Sequence, residues 1–449
     1  MCRLLLPLIA AVAAASLSCL SAAPVRPNVV LIISDDQGFD DYGFRGHPHI
    51  RTPHLDKLAS GSLRFDRGYV PVPLCRPSLA SIASGLYPHQ HLVTANDMAP
   101  ARGEARMKNE RPLIDSFNRL PSITKSLVAN GYLAFQTGKW WEGSWQDAGF
   151  TGGMTHGDPA RGGRHGDAGL AIGREGLKPI TDFIESATAQ NQPFFVWYAP
   201  FLPHTPHNPP KDILASYQGK GLAPDAAKYY AMCEWFDQTC GDLLGYLDEK
   251  KLTDNTLVLY VCDNGWAPVS QTDRPGPQKH WKEYALRSKG SAYENGIRTP
   301  ILVKLPGKVT PGNSPHLASS IDLYPTIMAA CGMKAPDELP GINLLDAGAR
   351  KHREAIFGAA YSSHNYTFRD PASTLQHRWI ITPRWKLLVR DHGRDTSKYI
   401  RLHDWDTTEV HLYDLQEDPR EKTNLAHKNP DVVSRLRPQL EAWLPTPAR

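Results

Sequence analysis

Apolar residues in this chain fall into short continuous runs that stop abruptly at polar groups. VVLII (29–33) ends at Asp35-Asp36, and YLAFQ (132–136) runs into Thr137-Gly138-Lys139. PFFVWYA (193–199) leads to Pro203-His204, and TLVLYVC (256–262) to Asp263-Asn264-Gly265. Short apolar runs bounded by turn formers are expected of strands buried on both faces of a parallel sheet. Between them lie segments of helical period, LPSITKSLVANG (120–131) and GLKPITDFIESATAQ (176–190). Alternation of this kind predicts an α/β fold, a doubly wound and mostly parallel sheet with helices on both faces. In such a fold the ligand crevice lies outside the carboxyl ends of the strands. All four polar clusters should therefore converge on one site.

The pattern changes after Leu345. AIFGAAY (355–361), HRWIITPRWKLLV (377–389) and VHLYDLQ (410–416) are short or alternating strands, followed by a helical tail over 431–443. They predict a smaller C-terminal antiparallel sheet with one helix, so the chain divides into 24–345 and 346–449. The Gly-rich stretch from Thr151 to Gly176 reads as a mobile surface loop near the site.

At the other end, Arg3 precedes an apolar stretch from Leu4 to Leu20 and then Ser21-Ala22-Ala23. Residues 1–23 fit a secretory signal peptide, which makes the protein exported, periplasmic or secreted. Acylation of Cys19 as a lipoprotein anchor is the weaker alternative, because Ser16 stands where a bulky aliphatic residue is usually wanted. The rest of the chain has no apolar stretch near the roughly 20 residues that span a bilayer, so it is not expected to be transmembrane. A net charge of +4 from 50 basic and 46 acidic residues, without long runs of either sign, argues against nucleic acid as a partner.

Beyond Cys2 and Cys19 the chain has Cys75, Cys233, Cys240, Cys262 and Cys331. Cys233 and Cys240 lie seven apart in a helical segment, about 10 Å along its axis, too far to bridge. Free buried cysteines are expected, and Cys75 needs its own explanation. It opens Cys75-Arg76-Pro77-Ser78 at the start of a predicted helix (77–84), where backbone N–H groups favour anions. A buried structural cysteine is the bland alternative. Asp35-Asp36 closing a buried strand is costly unless a cation or donors neutralise the pair, although a helix cap beside a solvated Asp would also explain it. Asp263-Asn264 adds a third carboxylate and a side-chain carbonyl, an all-oxygen set that suits Ca²⁺ or Mg²⁺.

PNVVLIISDDQG, CRPSLASIASGLYP, TGKW, PFLPHTPH, VCDNG, SKGSAYENGIRTP and HLYDLQEDPREKTNLA follow one another across the chain. In content and order this set resembles the formylglycine-dependent sulfatases of the alkaline phosphatase superfamily. The resemblance implies that a formylglycine-generating maturation enzyme oxidises Cys75 to 3-oxoalanine, whose hydrate attacks sulfur. It implies one Ca²⁺ on Asp35, Asp36, Asp263 and Asn264, with residue 75 supplying or neighbouring a further ligand. Lys139 and Lys289 match the sulfate-contacting lysines, and His204 the histidine that protonates the leaving alcohol. His207 reads as structural or substrate-facing.

Two positions depart from the family pattern. Leu79 stands where Cys-x-Pro-Ser-Arg has Arg, and Trp141 where Gly-Lys-x-His has His. Arg76, His89 or His91 could compensate, which makes Arg76 and His91 candidate substrate-binding residues. The departures also keep open a catalytically impaired glycan-binding homologue. A phosphonate or phosphodiester hydrolase of the same superfamily is a further alternative. Trp140, Trp141, Trp145, Trp266 and Trp281 would suit stacking on sugar faces. Arg161, Arg164, His165, Lys279, His280 and Lys282 would suit a polyanion. A sulfated glycan is thus the favoured partner over a small aryl sulfate.

Overall fold

The computed structural model describes residues 26–98, 103–157, 166–266, 287–362, 364–365, 368–391 and 408–445. The leader with Cys19, the basic residues Arg161, Arg164, His165, Lys279, His280 and Lys282, and Trp281 lie outside them. The N-terminal part contributes strands β1 (Asn28–Ser34), β2 (Leu63–Tyr69), β3 (Asp97–Met98), β4 (Leu133–Gly138), β5 (Gly152–Gly153), β6 (Phe194–Ala199) and β7 (Thr256–Cys262). There follow β8 (Arg298–Lys304), β9 (Gly312–Ser314), β10 (Ala318–Ser319), β11 (Ile356–Tyr361), β12 (His364–Asn365), β13 (Leu375–Ile381), β14 (Trp385–Arg390) and β15 (Val410–Asp414).

The large sheet runs β10-β2-β8-β7-β1-β6-β4-β5, with β9 also paired to β2. Among these described strands β8 alone runs antiparallel to its neighbours, as a mostly parallel sheet requires. Every residue of β1 is buried because the sheet is covered on both sides. Val29, Leu31 and Ile33 pack towards the helices Cys75–Ser84, Ile123–Ala129 and Leu323–Ala330. Val30 and Ile32 face the helices Pro53–Ser60, Lys178–Ala189 and Pro224–Glu249. Each such aliphatic side chain contributes roughly 1.5–3 kcal/mol of burial, which is why the run tolerates no polar interruption.

The smaller sheet, β11-β13-β14-β15, is antiparallel. Ile380, Leu387 and Leu412 on one face take Val432, Leu436 and Leu440 of the helix Pro430–Trp443. Trp379, Leu388 and Tyr413 on the other face pack on Tyr69, Val70 and Tyr293 of the main body. All five described cysteines are free and buried. No described helix is long and apolar enough to cross a membrane.

The Gly-rich stretch differs from its expectation. Gly152 and Gly153 form β5 at the sheet edge against Phe135 and Gln136, and Asp167–Ala171 is a 3-10 turn. A Cβ on Gly152 would lie 3.0 Å from the Phe135 ring, so glycine here serves close approach to β4. Thr155 Oγ1 donates to Gly166 O at 2.8 Å, and the Asp167 carboxylate accepts from His156 N, which fixes the described ends of the stretch.

Candidate active site

The four central strands β7, β1, β6 and β4 lie side by side, with Ser34 opposite Cys262 and Gly138 opposite Ala199. Just past their ends the backbone keeps the chain in register. Asp35 N donates to Leu202 O, Asp263 N to Ser34 O and Lys139 N to Ala199 O, at 3.0, 3.0 and 2.7 Å. Asp36 then turns outward at a φ of 61°, a left-handed conformation that Asp tolerates and that here is held by Asp36 N donating to Asp263 Oδ1 at 3.1 Å. Gly138 also has a positive φ, 73°, and a Cβ there would lie 1.8 Å from Ala199 O. Only glycine lets β4 deliver Lys139 beside β6.

One ligand atom each from Asp35, Asp36, Cys75 and His204 lie within 4.8 Å of one another. Cys75 is the first residue of its helix, and its Sγ is 3.7 Å from Asp36 Oδ1. Lys139 Nζ reaches Asp35 Oδ1 at 2.6 Å and Asp263 Oδ2 at 3.5 Å. Lys289 Nζ straddles Asp36 at 2.6 and 2.7 Å, and Asn264 Nδ2 donates to Asp36 Oδ1 at 2.6 Å. His204 Nδ1 donates to Thr205 O at 2.5 Å, which leaves Nε2, 3.3 Å from Asp36 Oδ2, facing the cluster.

Three carboxylates against two ammonium groups leave the cluster short of positive charge. Burial, with Lys139 opposing it, raises Asp35 to about 6. Burial and the neighbouring Asp35 raise Asp263 to about 7. Burial works against Asp36 as well, but the Lys289 ammonium overrides it and holds that carboxyl well below the usual range. His204 is pushed down to about 3 by burial, so it is a neutral imidazole here. The Cys75 thiol is pushed up to about 12 by burial, which leaves almost no thiolate at neutral pH.

Asp35 Oδ2 and Asn264 Oδ1 are buried with no hydrogen-bond partner among the described residues. An orphaned buried acceptor costs about 1–3 kcal/mol, and two in one charged cluster fit a site built to receive a cation. The available donors are mainly oxygens, which suits a hard divalent ion. The cluster can therefore hold a metal.

Other expected site residues are placed differently. Arg76 is 2% exposed and its fork is taken by Glu142, with Nε to Oε1 at 2.7 Å and Nη2 to Oε2 at 3.1 Å, while Nη1 lies 3.6 Å from Glu110 Oε2. It ties the start of the Cys75 helix to the loop after β4 and does not present a cation to substrate. His91 is fully buried: Val93 N donates to its Nδ1 at 3.1 Å, so Nε2 donates to Ser81 Oγ at 2.9 Å. His91 thus joins the helices Cys75–Ser84 and Pro88–His91, and is no substrate ligand. His89 packs between the rings of Tyr87 and Trp443. Leu79 lies in the main core.

Trp140, Trp141 and Trp266 are 3, 6 and 3% exposed, which removes them as sugar-stacking platforms. Trp140 sits among Trp197 and Phe150 in the core, and half-buried Trp145 covers Gly153. Trp141 has acquired another task, since Lys139 Nζ lies 5.6 Å from its ring centre. His207 rests 5.5 Å from Tyr229, half-buried at the rim. No local sequence pattern marks Glu142 or Tyr229, whose hydroxyl donates to Asp41 Oδ2 at 2.6 Å and thereby braces the turn after Asp36. The acid repeat in DDQGFDD was the available hint for Asp41.

Known proteins match this frame along most of its length. Human arylsulfatase A is 28% identical over 92% of this chain and 86% of its own. The N-acetylgalactosamine-6-O-sulfatase of Bacteroides thetaiotaomicron is 23% identical over 93% of each. Ps i-CgsB, solved in complex with k-i-k-neocarrahexaose, superposes with a TM-score of 0.71 at 24% identity, covering 93% of this chain and 92% of that one. A protein solved with its substrate D-glucosamine-2-N,6-O-disulfate superposes with a TM-score of 0.65 at 18% identity, covering 93% and 97%. Both superpositions are likenesses of fold. Residues 282–444 match the C-terminal family of N-sulphoglucosamine sulphohydrolase. Residues 27–333 match the Sulfatase family, two thirds of the chain with all the strand ends described above, and the chain belongs to that family of sulfuric ester hydrolases.

Proposed function

We propose that this sulfatase is exported and removes a sulfate group from a sulfated carbohydrate, using a formylglycine made from Cys75 and one Ca²⁺ held by Asp35, Asp36, Asp263 and Asn264. The observation that carries the reading is the meeting of Cys75, three carboxylates, Asn264, two lysines and His204 at the ends of four adjacent strands. When present, the calcium ion supplies the missing positive charge and the formylglycine hydrate an oxygen nucleophile. The chain's own side chains do the rest. Lys139 and Lys289 hold the non-bridging sulfate oxygens, where charge is fixed through the reaction. His204, oriented by its Nδ1 bond to Thr205 O, turns Nε2 to the cluster 3.3 Å from Asp36. Once Nε2 takes up a proton, which the Asp36 carboxylate and a bound sulfate favour, it is the atom that hands that proton to the departing alcohol. Trp141 in place of His, and Leu79 in place of Arg, change the surroundings of Lys139 and of the helix start without removing any of these groups.

A carbohydrate substrate is supported by the relatives, whose names and bound molecules are sulfated hexosamines and a neocarrahexaose. The test is the mass of the peptide around residue 75 in protein made alongside a formylglycine-generating enzyme, read with sulfate release. Conversion of thiol to aldehyde lowers that mass by about 18 Da, and only converted protein should release sulfate. Full turnover by protein that keeps an unmodified Cys75 would overturn the mechanism.

A further inference from the structure

A cavity of about 590 Å³ lies outside the active-site cluster and shares none of its residues. One wall is the loop after β1. Asp40 lies four residues beyond Asp36, so this wall is at most about 14 Å from the cluster by chain length alone. The lining includes Tyr230, nearly buried, whose ring stands 4.9 Å from His47 and 6.2 Å from a stacked, half-buried His49. Tyr230 in turn lies 6.1 Å from Tyr229, which is 5.5 Å from His207 at the rim of the active site. A line of rings thus runs from His207 to the cavity.

The lining is cationic. Arg45, Lys220 and Arg420 share the lining with one carboxylate, Asp40, which pairs with Arg45 at 3.6 Å and Arg420 at 2.5 Å; Arg45 also pairs at 3.0 Å with Asp66, which is not part of the lining. Lys220 is exposed, rests on the Tyr217 ring, and has no acidic partner among the described residues. His47 is turned inward: its Nδ1 accepts from the backbone N–H groups of His49 and Ile50, and its Nε2 faces the Asp41 carboxylate at 3.9 Å. Cations beside a half-buried imidazole match an anionic pyranose: the ring face lies on His49, and sulfate or carboxylate oxygens meet Lys and Arg.

We infer that this cavity is a second subsite, which binds an anionic sugar one or two units away from the residue that loses its sulfate. The inference rests on the sulfated-carbohydrate reading above and adds that the substrate is a polyanionic chain, longer than one sugar. None of these groups belongs to the cluster that cleaves the ester.

The test uses full-length protein in a Cys75→Ala background, so that bound glycan is not consumed, with Lys220→Glu and, separately, His49→Ala. Calorimetry gives Kd for a sulfated monosaccharide, for a carrageenan hexasaccharide that offers sulfate alone, and for a chondroitin sulfate hexasaccharide that adds carboxylates. Lys220→Glu should weaken at least one hexasaccharide by about ten-fold and leave the monosaccharide unchanged. Loss on both hexasaccharides assigns sulfate to the subsite, and loss on chondroitin sulfate alone assigns carboxylate. Equal losses on monosaccharide and hexasaccharide, unchanged hexasaccharide affinity in both variants, or no preference of the parent for a hexasaccharide would overturn the subsite. Aryl sulfate turnover by protein retaining Cys75 is read in parallel. Its absence counts against the sulfatase mechanism and leaves the binding result to stand by itself.

Discussion

Asp35 and Asp263 each meet the Lys139 ammonium, yet they sit in the same cluster as Asp36, so each depends on cations that the others also need. Removing either carboxylate takes away an oxygen donor and leaves Lys139 with a weaker partner. Asp35→Ala or Asp263→Ala should therefore abolish sulfate release and calcium binding together, since metal affinity depends on the full donor set. Calcium still bound at wild-type affinity in both variants would remove them from the ligand set. His204 acts on a different atom. An alkoxide leaves badly without a proton, whereas a nitrophenolate needs little help. His204→Ala should lower desulfation of a glycan by roughly 10²–10⁴-fold, with a much smaller loss on an aryl sulfate. Equal losses on both substrates would assign His204 to sulfate binding. Among single residues the sequence was informative where chemistry and position coincide, as at Cys75, Asp35 and Asp263. It misled at Arg76 and His91, whose partners Glu142 and Ser81 are settled by packing and carry no local mark.

At the scale of elements, the strand ends were legible because burial on both faces excludes polar residues until the strand is over. The first polar group after each run is therefore the first one in the crevice. The helices between strands, and the C-terminal strands with their helix, followed from periodicity for the same reason. The described ends of the Gly-rich stretch are ordered where mobility was expected, because glycine permits either mobility or close approach, and at Gly152 the choice depends on Phe135 in another strand. Tryptophan is ambiguous in the same way, which is why Trp140 proved to be core. Gly138 illustrates how an element end serves chemistry. A Cβ at this residue would collide with Ala199 O and oppose a φ of 73°. Gly138→Ala should destabilise the fold by about 1–3 kcal/mol, the usual range for a strained backbone position. Because Lys139 follows directly, kcat should fall further than the loss of folded protein explains. Active-site titration against denaturant midpoints separates the two, and a kcat per folded molecule equal to that of the parent would show that Lys139 is positioned by other contacts.

Across the whole molecule, the smaller sheet is joined to the catalytic body by a buried charge network as well as by apolar packing. Lys386 of β14 is fully buried and its Nζ meets Glu421 Oε1 at 2.7 Å and Glu294 Oε1 at 3.4 Å. Tyr69 OH donates to Glu294 Oε2 at 3.0 Å, and Glu294 N donates to Glu421 Oε2 at 2.6 Å. Arg287 reaches Glu421 O at 2.6 Å. Glu294 and Arg287 flank Lys289, so the tail segment containing Glu421 braces the stretch that delivers Lys289 to Asp36. This accounts for how a motif far along the chain bears on the site without touching substrate. Lys386→Met would leave buried Glu421 facing Glu294 without its cation, with Arg298, 3.6 Å from Glu294, as the remaining positive charge. Breaking a buried pair in this way costs about 3–5 kcal/mol, most of it the uncompensated charge. The denaturation midpoint should drop accordingly, and the Lys386→Met, Glu421→Gln double variant should recover part of the loss because the remaining imbalance is smaller. Sulfate release by folded Lys386→Met protein should show a raised KM, since loosening the Glu294 segment disturbs the lysine that holds the sulfate. An unchanged KM beside a lowered midpoint would mean that the network secures the two sheets to each other and leaves Lys289 where it is.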